Sequence, residues 1–230
     1  MLTQDKQLPL FPLNTVLFPG MTLPLRIFEP RYRQMLADCL SGEPTFGVVL
    51  IKEGLEVGGP AEPHEIGTAA RIIGVEKQSD EQLHIVSVGQ ERFQLRRVLR
   101  QEPYLVGEVE AFPLAAVNAP EVEVLAEQGT AFLAAYLKLL SKATGAEIKL
   151  QRPPEDPERL AYLIATILQV TLSEKQRLLS ISDLPTLFRE ETSLLRNEGK
   201  VLSVMIQALE SRQEGSPPDG EDEESLFSKN

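Results

Sequence analysis

Near residue 115 the spacing of apolar residues changes from mostly strand-like alternation to helical stripes that continue through the second half. A strand-rich half followed by a helical half is the layout this dictates. In the first half, apolar segments are separated by Gly, Pro and charged turns. They are Leu8–Phe11, Thr22–Phe28, Phe46–Ile51, Ala69–Val75, Leu83–Val88, Phe93–Val98 and Tyr104–Glu110. His84-Ile-Val-Ser-Val and Arg92-Phe-Gln-Leu-Arg alternate apolar with polar side chains, as half-buried strands do. One helix is predicted over Pro30–Leu40, where Tyr32, Met35, Leu36 and Cys39 share a face and Pro30 suits the first turn. Many short strands with frequent turns favour a barrel or sandwich over a parallel sheet with crossover helices.

In the second half, Asn118 and Glu121 resemble a capping box, followed by a stripe through Val122, Leu125, Phe132, Leu133, Tyr136, Leu137 and Leu140. Asp156-Pro157 opens a second helix and Ser173–Gln176 reads as a capping box for a short third. Asp183-Leu-Pro185 begins a long fourth helix, expected to end near residue 212. Its pairs Leu187/Phe188, Leu194/Leu195 and Val201/Leu202 recur every seven residues, a pattern that suits a bundle or a dimer seam. The expected partition is a β-rich body over 1–115, a helical bundle over 116–212 and a disordered acidic tail over 213–230.

Charge narrows the partners. The formal charge is -11, and Glu214 to Asn230 alone hold six acids against one Lys. A general nucleic-acid binder needs the opposite balance. The single cysteine, Cys39, excludes an intrachain disulfide and a paired-cysteine zinc site. A polar opening, no signal peptide and no long apolar run lead to the expectation of a soluble, cytoplasmic protein away from membranes.

No catalytic constellation emerges. P-loop, dinucleotide and Gly-x-Ser-x-Gly patterns are missing; Gly58-Gly59-Pro60 is turn chemistry, and Ser87-Val-Gly89 lies in a strand pattern. His64 and His84 read as surface or strand-edge residues, and Cys39 as a packed thiol. The pair Glu190-Glu191 reads as a solvated helix face. No catalytic residue, metal or cofactor is expected.

One segment is far more specific: Leu8-Pro-Leu-Phe-Pro-Leu-Asn-Thr-Val-Leu-Phe-Pro-Gly-Met-Thr-Leu-Pro-Leu-Arg-Ile-Phe-Glu-Pro-Arg-Tyr. Two further blocks follow in order, Ile66-Gly-Thr-Ala-Ala-Arg-Ile72 and Val88-Gly-Gln-Glu-Arg-Phe93. Together they resemble the Lon N-terminal domain family, which precedes the ATPase and protease parts of Lon and also occurs alone. The resemblance implies an α+β fold, a PUA-like twisted, partly closed β-barrel followed by a helical bundle with a long C-terminal helix. It also implies a non-enzymatic polypeptide-binding module, an adaptor or regulator in protein quality control. Its expected partners are unfolded or specific polypeptides, with Lon protease or a second copy (a homodimer) as further candidates.

The motif residues Phe11, Phe18, Met21, Phe28, Arg31, Tyr32 and Met35 are the candidate polypeptide contacts, on an apolar surface between barrel and helices. Two alternatives stay open. PUA-like barrels elsewhere bind RNA, and Arg92, Arg96, Arg97 and Arg100 form a short basic cluster, although the acidic body disfavours nucleic acid. A structural homodimer through the last helix is the other.

Overall fold

The computed structural model describes residues 6–56, 61–79, 82–150 and 152–214. The strands are β1 (Lys6–Leu13), β2 (Thr22–Ile27), β3 (Thr45–Gly54), β4 (Ala61–Pro63), β5 (Ile66–Ser79), β6 (Gln82–Arg100) and β7 (Val106–Ala111). β1, β7, β6, β5 and β3 are joined edge to edge by antiparallel pairing, and a parallel β1–β3 ladder closes the ring. β1 pairs with β7 through its first half and with β3 through its second. Pro9 and Pro12 therefore each fall where one side of the strand has no ladder bond to lose. β5 and β6 overshoot the ring as a hairpin, and β2 lies antiparallel against β6 there, from Thr22 opposite Val88 to Ile27 opposite Leu83.

Small residues make the ring interior possible. Phe93 is fully buried, and a Cβ at Gly47 would stand 2.8 Å from its ring. At Gly67 a Cβ would stand 2.5 Å from the Val48 carbonyl oxygen, so the strands could not approach this closely with any larger residue. Leu8, Leu10, Val49, Ala69, Leu95 and Val109 pack around Phe93. A second layer forms where α1 (Pro30–Ser41) covers the sheet with Tyr32, Met35, Leu36 and Cys39, the Tyr32 ring lying 4.0 Å from that of Phe11.

One strand assignment needs correction. Leu83–Val88 and Phe93–Val98 are not two strands; β6 runs unbroken through Gly89, and its register shifts against β5 beside it. The short β4 carries no apolar run and was not legible in the sequence.

The helical half comprises α2 (Val122–Thr144), α3 (Pro157–Ile167), α4 (Leu172–Leu179) and α5 (Leu184–Glu214). Asp156 caps α3, its Oδ1 accepting the Arg159 N–H at 2.8 Å, and Asp183 accepts from Thr186 N–H at 2.9 Å at the start of α5. Two caps differ from expectation. α2 begins at Val122 after Glu121 with no side-chain cap, because a tight turn at Ala116–Ala119 brings the chain in. α4 is capped by Thr171, reciprocally with Glu174, and not by Ser173. Both patterns read S/T-x-x-E/Q, and the earlier one starts the helix.

Tyr136, Leu160, Ile164, Leu178, Phe188 and Leu195 form the bundle core, and Val16 and Phe18 enter it from the β1–β2 connection. Glu191 is not on a solvated face: it is completely buried on the stripe of Leu184, Leu187, Phe188 and Leu195. α5 splits near residue 200. Its first half is packed, whereas Val201, Val204, Met205 and Leu209 are exposed. The helix ends at Glu214, and the rest of the expected acidic tail lies outside the described residues.

A groove where barrel and helices meet

Pro19 and Gly20 build a tight turn, with Gly20 at φ +82° and the Met21 N–H donating to the Phe18 carbonyl at 3.0 Å. The turn is held flat on β6. Gly20 N–H donates to the Gly89 carbonyl at 2.8 Å, and Gly89 N–H donates to the Met21 carbonyl at 2.9 Å. A Cβ on Gly89 would lie 2.3 Å from the Phe18 carbonyl oxygen, so this close approach is what requires glycine. Thr68, fully buried, donates its hydroxyl to the Leu17 carbonyl at 2.6 Å. The three sequence blocks thus converge at one end of the barrel.

Arg92 joins that end to the helices. Its side chain is buried, and Nη1 donates to the carbonyls of Leu179 and Ile181, both at 2.6 Å, just where α4 ends and leaves acceptors without intrahelical partners. The guanidinium lies 4.8 Å from the Phe112 ring centre and 5.8 Å from that of Tyr162. Nε and Nη2 reach no acceptor at hydrogen-bonding geometry. Gln176 adds a bond from Nε2 to the Ile66 carbonyl at 2.9 Å, and Leu184 N–H one to the Ala115 carbonyl at 3.1 Å.

Between the halves opens a groove of about 610 Å³. Pro19, Gly20, Met21, Val88, Gly89 and Gln90 make its barrel wall; Pro154, Asp156, Glu158, Arg159, Tyr162, Leu163 and Thr166 make the helical wall. Half-buried Met21, Val88 and Leu163 give it an apolar surface, with charge confined to the start of α3. Burial pushes the Tyr162 phenol well above its usual range, with Arg92 pulling the other way, so it serves as a neutral wall. Lys175, whose pKa is lowered by burial, donates to the Thr166 carbonyl at 2.9 Å behind that wall.

Of the seven candidate contacts, only Met21 lines this groove. Phe18 and Met35 are core residues at 1% exposure, and Phe11 and Tyr32 are buried at 5% each; the α1 stripe turns Tyr32 and Met35 onto Phe11 and its sheet, and the β1–β2 connection carries Phe18 into the bundle core. Phe11, Phe28 and Tyr32 border a second cavity of about 200 Å³ beside β2, where Phe28 is 47% exposed. Arg31 pairs with Glu29 at 3.0 Å and lies 4.5 Å from the Tyr32 ring centre. The α3 wall was not legible as a site because no motif marks it; Leu163 belongs to the helix's apolar stripe, which by itself reads as core.

The basic cluster is dispersed and neutralised. Arg92 is buried, Arg96 pairs with Glu110, Arg97 pairs with Glu108 at 2.7 Å, and Arg100 lies over Tyr104. Cys39 is buried, its thiol pushed up to about 11 by burial and then by Asp38, with Sγ 3.4 Å from the Thr45 carbonyl. We expect it to react with a thiol reagent at neutral pH at least about a hundredfold more slowly than an exposed peptide cysteine. Absorbance-monitored labelling of the folded chain checks this. Among the described residues no group of His, Cys, Asp and Glu is arranged to hold a metal, and no helix is long and apolar enough to cross a membrane.

A family model described as the ATP-dependent protease La (LON) substrate-binding domain matches residues 7–197. The chain is 29% identical over 200 residues to a Lon protease of Anaeromyxobacter dehalogenans, covering 86% of this chain and 24% of that protein. It is 30% identical over 181 residues to Lon protease 2 of Syntrophobacter fumaroxidans, covering 77% and 23% respectively. The chain thus spans about a quarter of the length of these relatives. Among solved structures, a Lon N-terminal domain protein from Xanthomonas campestris superposes with a TM-score of 0.58 at 29% identity, covering 83% of this chain and 98% of that one. The N-terminal domain of a Mycobacterium avium complex Lon protease superposes at 0.64 with 20% identity, over 83% and 98%, a likeness of fold. With the model spanning most of the chain and the barrel-plus-bundle architecture in agreement, this protein belongs to the Lon substrate-binding domain family.

Proposed function

We propose that this chain is a non-catalytic polypeptide-recognition module in which an exposed apolar segment of another protein seats in the groove between the Phe18–Met21 turn and α3. The observation that carries the reading is the groove itself. It is large enough for several side chains, is walled by Met21, Val88 and Leu163, and sits where the three sequence blocks converge. The family's description as a substrate-binding domain supports the same role. An adaptor or regulator acting in the cytoplasm with a Lon protease fits this reading, as the relatives carry the same domain within a much longer chain.

Leu163→Glu tests it. The side chain is half-buried on the groove wall, so a carboxylate there spoils the apolar surface without opening the core. Affinity for fluorescently labelled reduced casein, read by anisotropy, is expected to fall at least about tenfold, the equivalent of roughly 1.4 kcal/mol. Unchanged affinity removes the groove from the account. Self-association through α5 is a second reading, favoured by the exposed Val201, Val204, Met205 and Leu209, and is compatible with the first. Arg96 and Arg97 of β6 are each paired with a glutamate, which weighs against the RNA reading.

A further inference from the structure

α5 starts at the barrel, where the Leu184 N–H donates to the Ala115 carbonyl at 3.1 Å, and it runs alongside α2. The two helices are parallel: Gly129 of α2 meets Phe188 of α5, and further on Leu139 meets Gly199. α2 ends at Thr144, whereas α5 continues to Glu214. On this distal part of α5, Val201, Val204, Met205 and Leu209 are 48–65% exposed. A stripe about 13 Å long on a helix about 10 Å wide is too small on its own for the roughly 800 Å² per partner of a stable dimer. An occupant tethered to the same chain needs no such area, because the tether holds it at an effective concentration on the order of millimolar.

The residues that follow α5 have the sequence of such an occupant. Pro218-Asp219-Gly220 is a turn signature, able to send the chain back along the helix. Glu221, Asp222, Glu223 and Glu224 come next, and then the apolar pair Leu226-Phe227. That pair lies about 20 Å beyond Gly220 at strand rise, and Leu209 to Val201 lie about 8–20 Å back from Glu214 at helical rise. The groove beside α3 does not fit this reach. Ile164 of α3 packs at Gly129 beside Phe188, which places it about 39 Å back along α5. Residues 215–227 cover about 43 Å only when pulled straight, with nothing left for the turn.

Charge favours the same seat. Lys149 is paired with Glu147; with that pair set aside, exposed Lys138, Lys142, Arg196 and Lys200 stand against Glu198 and Glu210 over 138–149 and 196–211. This end of the bundle therefore has a positive excess in a chain of net charge -11.

We infer that residues 221–227 fold back on the distal half of α5, with Leu226 and Phe227 seated on Met205 and Leu209 and the acidic run among the cations of that end. The tail thus covers in cis an apolar face that would otherwise be open to another chain. The inference is independent of recognition in the groove.

The test uses the full chain with a nitroxide on Ser228→Cys, the buried Cys39 remaining unlabelled. Folding back predicts loss of amide NMR signal over 201–211 and none over the groove walls, 18–22 and 156–166. Amide exchange over 201–211 is expected to quicken at least about fivefold when Leu226→Ser and Phe227→Ser are combined. Replacing the four acids of 221–224 by their amides should quicken it about twofold or more at low salt. Signal loss at the groove walls instead places the tail there and overturns the inference. Equal loss when nitroxide and isotope are on different molecules assigns the face to a second copy, which also overturns it. Unchanged exchange in the double serine variant removes the apolar anchor, and unchanged exchange in the amide variant removes the role of charge.

Discussion

Arg92→Met is expected to cost the fold about 2–4 kcal/mol, read as a lowered urea midpoint with an unchanged slope. The substitution keeps most of the volume and removes the donor that serves two buried carbonyls, Leu179 and Ile181. Each charge-assisted bond contributes roughly 1.5–3 kcal/mol, and the stacking on Phe112 adds roughly 1 kcal/mol more. Against this stands relief of the buried charge, whose Nε and Nη2 find no acceptor. That relief, roughly 1–3 kcal/mol, offsets the loss in part without cancelling it. Arg92→Lys is expected to fall between the two, since an ammonium can serve a carbonyl but cannot stack as a plane. A loss below about 1 kcal/mol for the Met variant contradicts the clamp.

Glu191→Leu is expected to do the opposite and stabilise by at least about 2 kcal/mol near neutral pH. The native carboxyl is completely buried with neither oxygen bonded, and burial holds its pKa well above the usual carboxylate range. The sign follows from proton binding. Below the unfolded value of 4.5 both states are protonated and the group adds no pH dependence. As pH rises past that value the unfolded chain ionises while the folded one holds its proton. Stability then falls by up to about 1.4 kcal/mol per pH unit until the folded group also titrates. The gain from Glu191→Leu should therefore grow between about pH 5 and pH 8. Glu191→Gln should share that growth while keeping an unbonded polar group, and so gain less throughout. Denaturation midpoints at the two pH values decide it. A gain that shrinks with rising pH overturns the assignment of a neutral buried acid.

These two residues also mark how far the sequence could be read. The change of period near residue 115, the α1 stripe and the caps at Asp156 and Asp183 were all legible, because each is a local rule acting on near neighbours. Ring closure was not. The β1–β3 ladder pairs residues far apart in the chain, and no spacing within either strand announces a parallel partner. Gly89 stands in one of the motif blocks, yet its role, the close approach of Phe18, depends on a segment about seventy residues away. Arg92 alternated like a surface residue because strand period cannot tell that a helical bundle covers that face. Glu191 held a readable clue, falling three residues after Phe188 and four before Leu195, on the buried stripe. The composition rule that acids are solvated outweighed the period there, and the period was right.

The candidate contacts divide along the same line. The motif blocks meet at the barrel end that borders the groove, but the motif is rich in aromatic residues that build the core, so Phe18 and Met35 are inside and the groove is finished by α3. A motif identifies where backbone segments must meet; which side chains remain open to a partner depends on what packs over them.

The most direct measurement is amide hydrogen exchange of the intact protein with and without saturating reduced casein. Recognition in the groove predicts slowed exchange over residues 18–22, 88–90 and 156–166, the two walls, with the α5 segment 201–209 unchanged. Absence of protection at both walls, or protection confined to 201–209, contradicts the central claim and leaves α5 as the interacting surface.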